Sequence, residues 1–368
     1  MSTCNAYQRN YPGYDNATAI FLCQFEARLF KISGHVFNYE HYLSIASIFI
    51  NIFHFLILIR KPLRSSSINI IMAFISIFDI CSMLFRMKQS YGPSIEYIFD
   101  PCMQSKWYFN VYLEKILLVV KDHSQRSSTW LLFSIALIRT LVIRNPMNPK
   151  YERLAHPPTS LFTMICINLI FGPISIATFF GSDITSQNHT SSCDPDGVLF
   201  YYLDISASYK QNDGMILKIY TLINSVVSTI IPCFIFPIVT VFLVKELWKA
   251  EANRKRLFSS KKVNDSSKNT QLVLFLTCVF FIAQFPIGIS IGASYFFSET
   301  PGFMIILHEI SYIFSVILVA NTFSHFFICI FMSSQYRAEL KKSIYCRTKA
   351  KVLQMNGDCL ATGIVMTK

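Results

Sequence analysis

Lys121, Asp122, His123, Gln125 and Arg126 fall within six consecutive positions, a short way after Glu114 and Lys115. Two kinds of cation, a carboxylate, an imidazole and an amide can grip a charged or hydrogen-bonding ligand, or they can close on one another as an internal salt-bridge cluster. Hydrolytic chemistry is not suggested. The chain has no Gly-x-Ser-x-Gly, no His-Glu-x-x-His and no paired membrane aspartates, and its Cys and His residues lack zinc-finger spacing. No enzyme activity, metal or cofactor is expected. Lys121, Gln125 and Ser128 recur at helical spacing and share one face.

These residues belong to a stretch from Tyr112 to Pro146, YLEKILLVVKDHSQRSSTWLLFSIALIRTLVIRNP, of the length that spans a membrane. A charge at the bilayer centre costs roughly 2.5 to 3.5 kcal/mol on insertion scales, so a lipid-facing helix cannot carry this many. The helix must run inside a bundle with its polar half turned to protein or water. Trp130 to Leu137 is almost wholly apolar, and Arg139, Arg144 and Pro146 follow. A central helix with a wet mouth and a basic inner end suits a protein that binds on one side and reports on the other.

The rest of the chain supplies the bundle. Hydrophobic residues make up 52% and charged residues 15%, with 34 Phe, against about 25% charged in soluble domains. Apolar runs near the roughly 20 residues a spanning helix needs occur at about Tyr42 to Ile59, Ile68 to Phe85, the central stretch, Ser160 to Phe180, Met215 to Val244, Thr270 to Phe297 and Phe303 to Phe331. The expected fold is an all-α membrane protein of seven spans. Residues 1–40 are expected as a polar, irregular N-terminal segment without a signal peptide, residues 41–335 as the membrane domain, and residues 336–368 as a basic, then featureless, tail.

Lys and Arg set the orientation. Arg60, Lys61, Arg64, Arg144, Lys150, Arg153, Lys245, Lys249, Arg254, Lys255, Arg256, Lys261, Lys262 and Lys268 lie in one set of loops, whereas Gly181 to Tyr209 has neither residue type. The N-terminus is therefore expected outside and the C-terminus inside. The net charge of +12 then marks a cytoplasmic face apposed to anionic lipid and a partner protein, and does not suggest nucleic-acid binding. The glycosylation triplets at Asn16 and Asn188 fall outside, as do Cys102 and Cys193, which flank the central helix and could tie the long loop over its mouth.

Seven spans, an outside N-terminus and an Arg closing the third helix resemble the rhodopsin-like G-protein-coupled receptors. His123-Ser124-Gln125-Arg126-Ser127-Ser128-Thr129-Trp130-Leu131 and Ala136-Leu137-Ile138-Arg139 resemble the third helix of FMRFamide- and myosuppressin-type peptide receptors. Ile231-Pro232-Cys233 is similar to their fifth helix, and Met332-Ser333-Ser334-Gln335-Tyr336-Arg337 to the segment after their seventh. The same pattern marks the nematode serpentine receptors of class W (Srw), chemoreceptors, and the chain is identified as a member of that class over about Tyr42 to Arg347. The resemblance implies a plasma-membrane receptor, in a sensory cilium where the cell has one. Its partners would be an extracellular ligand, with a peptide favoured, a heterotrimeric G protein and the bilayer. It implies a ligand face of Lys121, Asp122, Gln125 and Arg126 opposite Gln284 and Tyr312, and a polar switch of Asp79, Ser128 and Asn321 in the family's sodium pocket, beside Asn51. His325 would stand near Asp79 as a cation in place of sodium, or join a neutral cluster that only packs helices. Arg139 would contact the G protein.

Three departures from the family pattern stand out. Arg139 lacks its neighbouring acid, being preceded by Ile138; Gln284-Phe285-Pro286 has no Trp before its Pro; and His325-Phe326-Phe327-Ile328-Cys329 replaces the Asn-Pro-x-x-Tyr motif. Raised ligand-free signalling, or a silent signalling face, follows from such changes. The competing readings are a seven-span transporter or channel, which would call for internal repeats or paired broken helices that the sequence lacks, and an intramembrane enzyme.

Overall fold

A computed structural model describes residues 7–99, 108–145, 147–191, 194–257, 264–297 and 299–353. Among these residues, seven helices are long and apolar enough to cross a membrane. They are packed as a bundle whose two ends differ: a β-hairpin marks one, and the basic loops mark the other.

The first helix is the largest departure from expectation. It begins at Asn16, not near Tyr42, and runs 43 residues to Leu58. At 1.5 Å per residue it is about 65 Å long, twice the roughly 30 Å hydrocarbon thickness, so its first turns project past the hairpin end. Asp15 starts it by accepting a hydrogen bond from the Thr18 N–H at 3.1 Å, which satisfies one of the orphan donors of the first turn. The projecting part is held by a small second core. Tyr11 is buried there beside Ala19 and Ile306, its hydroxyl donates to Glu26 at 2.8 Å, and its ring meets Phe303 edge-on at 5.7 Å. Burial and the Glu26 carboxylate raise the Tyr11 phenol well above its ordinary pKa.

The second helix, Ser67–Phe99, also outruns its expected end at Phe85. The third spans Tyr108–Arg144, and the fourth, Pro157–Phe180, starts on its prolines and carries Pro173 inside. The stretch after Gly181, expected as a loop, forms two antiparallel strands, Ser182–Ser191 and Asp194–Ile205. Ser182 pairs with Ile205 and His189 with Val198, and the register shifts between His189 and Ser191. The fifth helix is continuous from Ala207 to Leu257 through a π turn at Val226–Ile230. The sixth is Asn264–Phe296 around Pro286. The seventh, Pro301–Thr322, breaks at Phe323 and resumes as Ser324–Met332. A last helix, Ser334–Leu353, carries the basic first part of the tail.

The main apolar core lies toward the basic end, where Ile57, Ile71, Ile75, Leu131, Ile135, Ile138 and Phe171 are buried together. Tyr336 of the last helix joins it, almost fully buried, and its hydroxyl meets His54 Nδ1 at 2.7 Å. Arg337 donates to the carbonyls of Ile330 and Phe331 at 2.9 and 2.8 Å, capping the seventh helix. On the fourth helix Phe162, Leu169, Ile170 and Ile176 are exposed. An exposed apolar stripe on a membrane-length helix is a lipid-facing surface.

Candidate functional site

The third helix is built as its sequence requires, with polar groups turned inward: Lys115, Ser124, Arg126, Ser127, Ser128 and Thr129 are all buried. The fifth helix meets it with an unusual local shape. Pro232 has no N–H, and its ring clashes with the carbonyl four residues earlier, at Ser228. The π turn at Val226–Ile230 widens the helix there, and such turns often mark functional positions. Ser228 and Asn224 thereby face Arg126. The sixth helix packs close to the same turn because it carries Gly288 and Gly292. A Cβ at Gly288 would lie 2.9 Å from Thr229 Cγ2, and Ser225 donates to the Gly288 carbonyl at 2.7 Å.

Between these helices and the first, second and seventh lies a cavity of about 880 Å³ toward the hairpin end. All six residues expected to face a ligand, Lys121, Asp122, Gln125, Arg126, Gln284 and Tyr312, line it. Lys121 pairs with Asp122 at 3.2 Å, and its ammonium sits 4.9 Å from the centre of the Phe85 ring. Arg126 does not join that pair. Its guanidinium donates to Ser228 Oγ at 2.7 Å, to Asn224 Oδ1 at 2.9 Å and to Ser175 Oγ at 3.2 Å. The alternative of one Lys121–Asp122–Arg126 cluster is thus half met, because Arg126 prefers neutral partners on the fourth and fifth helices.

The far wall carries no signature in helical spacing. Glu40, expected in an irregular segment, lies on the first helix and pairs with Arg86, while the Tyr312 hydroxyl donates to the same carboxylate. Arg86 also reaches Ser315 Oγ at 3.4 Å. These contacts tie the first, second and seventh helices together beside the cavity. Only a charged pair flanking two apolar runs (Glu40 before one, Arg86 after the other) could have signalled it. At the hairpin, Lys115 donates to the Ser182 carbonyl at 2.5 Å, and Asp204 accepts from Lys210 at 2.6 Å. The hydrogen bond from Lys210 and the N–H of Ile205 hold the Asp204 carboxyl below its ordinary range.

Deeper, Asp79, Ser128, Asn321 and His325 line one small cavity of about 30 Å³. Ser128 donates to Asp79 Oδ1 at 2.8 Å, while Asp79 Oδ2 and His325 Nδ1 are buried without a hydrogen-bond partner. Of the two arrangements weighed for His325, the ion pair with Asp79 is not formed in this structure. Asn51 does not itself line this cavity but is linked to Thr322 of its wall through Ser47. It donates to the Ser47 carbonyl at 3.0 Å and to its hydroxyl at 3.2 Å, and Ser47 in turn meets Thr322 at 2.6 Å.

Toward the basic end a second cavity, of about 610 Å³, is lined by Arg139, Asn69, Met72, Leu243, Ser324 and Gln335 among others. Ile138, where the acid was missed, is buried in the main core. The two acceptor asparagines, Asn16 and Asn188, are exposed. Cys102 and Cys193 lie outside the described residues, so the expected bridge between them is not visible; Cys23, on the projecting part of the first helix, is disulfide-bonded.

A protein-family model described as Serpentine type 7TM GPCR chemoreceptor Srw matches residues 38–347, from the first helix into the last. No curated protein matches the chain.

Proposed function

The chain belongs to the Srw family of serpentine seven-transmembrane chemoreceptors, a family of G-protein-coupled-receptor type and not of enzymes, and on that premise we propose that it binds an extracellular ligand in the 880 Å³ cavity and signals to a heterotrimeric G protein at the basic end. The observation that carries this reading is the cavity itself. It gathers the polar residues of the third helix with Gln284 and Tyr312 into one chamber, of the size that encloses compact ligands, about 300 to 1,000 Å³.

The orientation proposed puts the hairpin and Asn188 outside. The excess of Lys and Arg in the opposite loops supports it, as does the Cys23 disulfide, a bond that persists in oxidising compartments. The preferred ligand is a short peptide, in line with the likeness to FMRFamide-type receptors. Glu309 lines the cavity, Asp183 and Glu299 are exposed, and acidic groups of this kind steer a basic ligand inward. The cavity that Arg139 lines is the proposed entry for the G protein.

The test is activation in cells whose surface expression is verified, challenged with a panel of peptides and odorants. A saturable response to one member, lost on Gln125→Ala or Gln284→Ala at unchanged surface level, is expected. Responses that survive both changes would remove the cavity from the account.

A further inference from the structure

We propose that the ligand carries a carboxylate, and that Arg126 at the cavity wall receives it; this rests on the reading of the cavity as a ligand site and names the chemistry the site selects. A guanidinium taken out of water is costly unless it is paired and its donors are satisfied. Arg126 is 3% exposed. Its partners Ser228, Asn224 and Ser175 are all neutral. Among the described residues no carboxylate touches it: Asp122 acts on it only from a distance and is engaged by Lys121. The other two wall cations with described partners differ, since Arg86 has Glu40 and Lys121 has Asp122.

Donor arithmetic agrees. Arginine offers five N–H donors, and the three bonds to Ser228, Asn224 and Ser175 leave two. A planar fork with free donors fits a carboxylate, which it binds more strongly than any neutral acceptor. Gln125, Thr129 and Gln284, which line the same chamber, stand ready as neutral neighbours. The geometry also explains the rigid setting. Asn224 Oδ1 accepts from both Arg126 and Ser228, so the fork is fixed before any ligand arrives, which lowers the ordering cost of binding. The carboxylate can come from the free C-terminus of a short peptide or from a small organic acid, and the two are separable by experiment.

The experiment uses the full chain in lipid nanodiscs and reads its thermal midpoint against matched pairs: the dipeptide Gly-Phe and its C-terminal amide, and 3-phenylpropionate and 3-phenylpropionamide. In at least one pair the acid is expected to stabilise at tenfold or more lower concentration than its amide; the dipeptide pair alone indicates a peptide, and both pairs a carboxylate site open to organic acids. Arg126→Gln removes the preference. Because that variant can fail to fold, Asn224→Asp is the second arm. It places a carboxylate of the protein's own where the amide oxygen now sits, 2.9 Å from Arg126, and should abolish the acid preference while the protein stays folded. Equal effects of acid and amide in both pairs, or an acid preference undiminished in Asn224→Asp, would overturn the inference. Signalling separates the two levels of the account. A receptor activated equally by amides keeps the proposed function and loses the carboxylate, whereas selective acid binding without any G-protein response keeps the site and loses the receptor.

Discussion

Removing Glu40 should unsettle the cavity wall far more than its place at the edge of the membrane domain suggests. Its carboxylate and Arg86 are both largely buried, with side chains 7% and 11% exposed, and Tyr312 donates to the same group. Taking away one partner of such a pair leaves the other charge uncompensated, which costs about 3–5 kcal/mol. At about 2 °C per kcal/mol for a large chain, Glu40→Ala should lower the thermal midpoint of the nanodisc-embedded protein by about 6–10 °C, and Arg86→Ala by a similar amount. The double variant Glu40→Leu with Arg86→Met should recover most of that loss, since well-packed apolar replacements of buried pairs are often neutral or stabilising. Tyr312→Phe, which removes only the hydroxyl, should cost about 1 kcal/mol. If either single variant shifts the midpoint by less than about 2 °C, or if the double variant loses the sum of the singles, the pair is not coupled and the first helix is not anchored this way.

Gly302→Ala should release the N-terminal segment. Its Cβ would sit 2.2 Å from Tyr11 Cζ, so faster amide hydrogen exchange is expected around residues 7–30, as it is for Tyr11→Ser, which removes the same packing; unchanged exchange in Gly302→Ala argues against the packing of Tyr11 on the seventh helix. An epitope tag ahead of Met1 should stain intact cells, and one after Lys368 only permeabilised cells; the reverse pattern overturns the proposed orientation. Arg139→Ala should leave surface expression unchanged and abolish the ligand response, whereas a normal response would make Arg139 a boundary residue that merely snorkels.

Much of the bundle is legible in the sequence because a bilayer imposes a simple rule on composition. Apolar length alone places seven spans, and charges that lipid forbids turn the polar face of the third helix inward. The failures lie where that rule gives no guidance. Asn16 to Glu40 continues the first helix ahead of its most apolar run, where composition sets no rule and Tyr11 and Phe303 provide the packing. The second helix likewise passes Arg86, because Glu40 neutralises that charge, a pairing between distant positions with no periodic signature. The hairpin at Ser182–Ile205 depends on cross-strand pairing that a mixed polar loop does not announce. For the site, helical spacing brings Lys121, Gln125 and Ser128 to one face, but the partners of Arg126 follow from the π turn before Pro232, which sequence spacing alone misplaces. The family likeness predicts His325 near Asp79 and the structure brings both to one cavity, yet Asp79 bonds to Ser128. The missing acid at Ile138 has a plain physical setting, since that side chain is part of the apolar core.

The most direct measurement is recruitment of a G protein to the receptor, read by energy transfer in living cells with surface expression confirmed, while the peptide and odorant panel is applied outside. A dose-dependent rise in transfer is expected for a panel member. That rise is lost when Gln125 and Gln284 in the outer cavity are changed, and lost again when Arg139 in the inner cavity is changed. A surface-expressed protein that recruits no G protein, with or without any panel member, would contradict the proposed function.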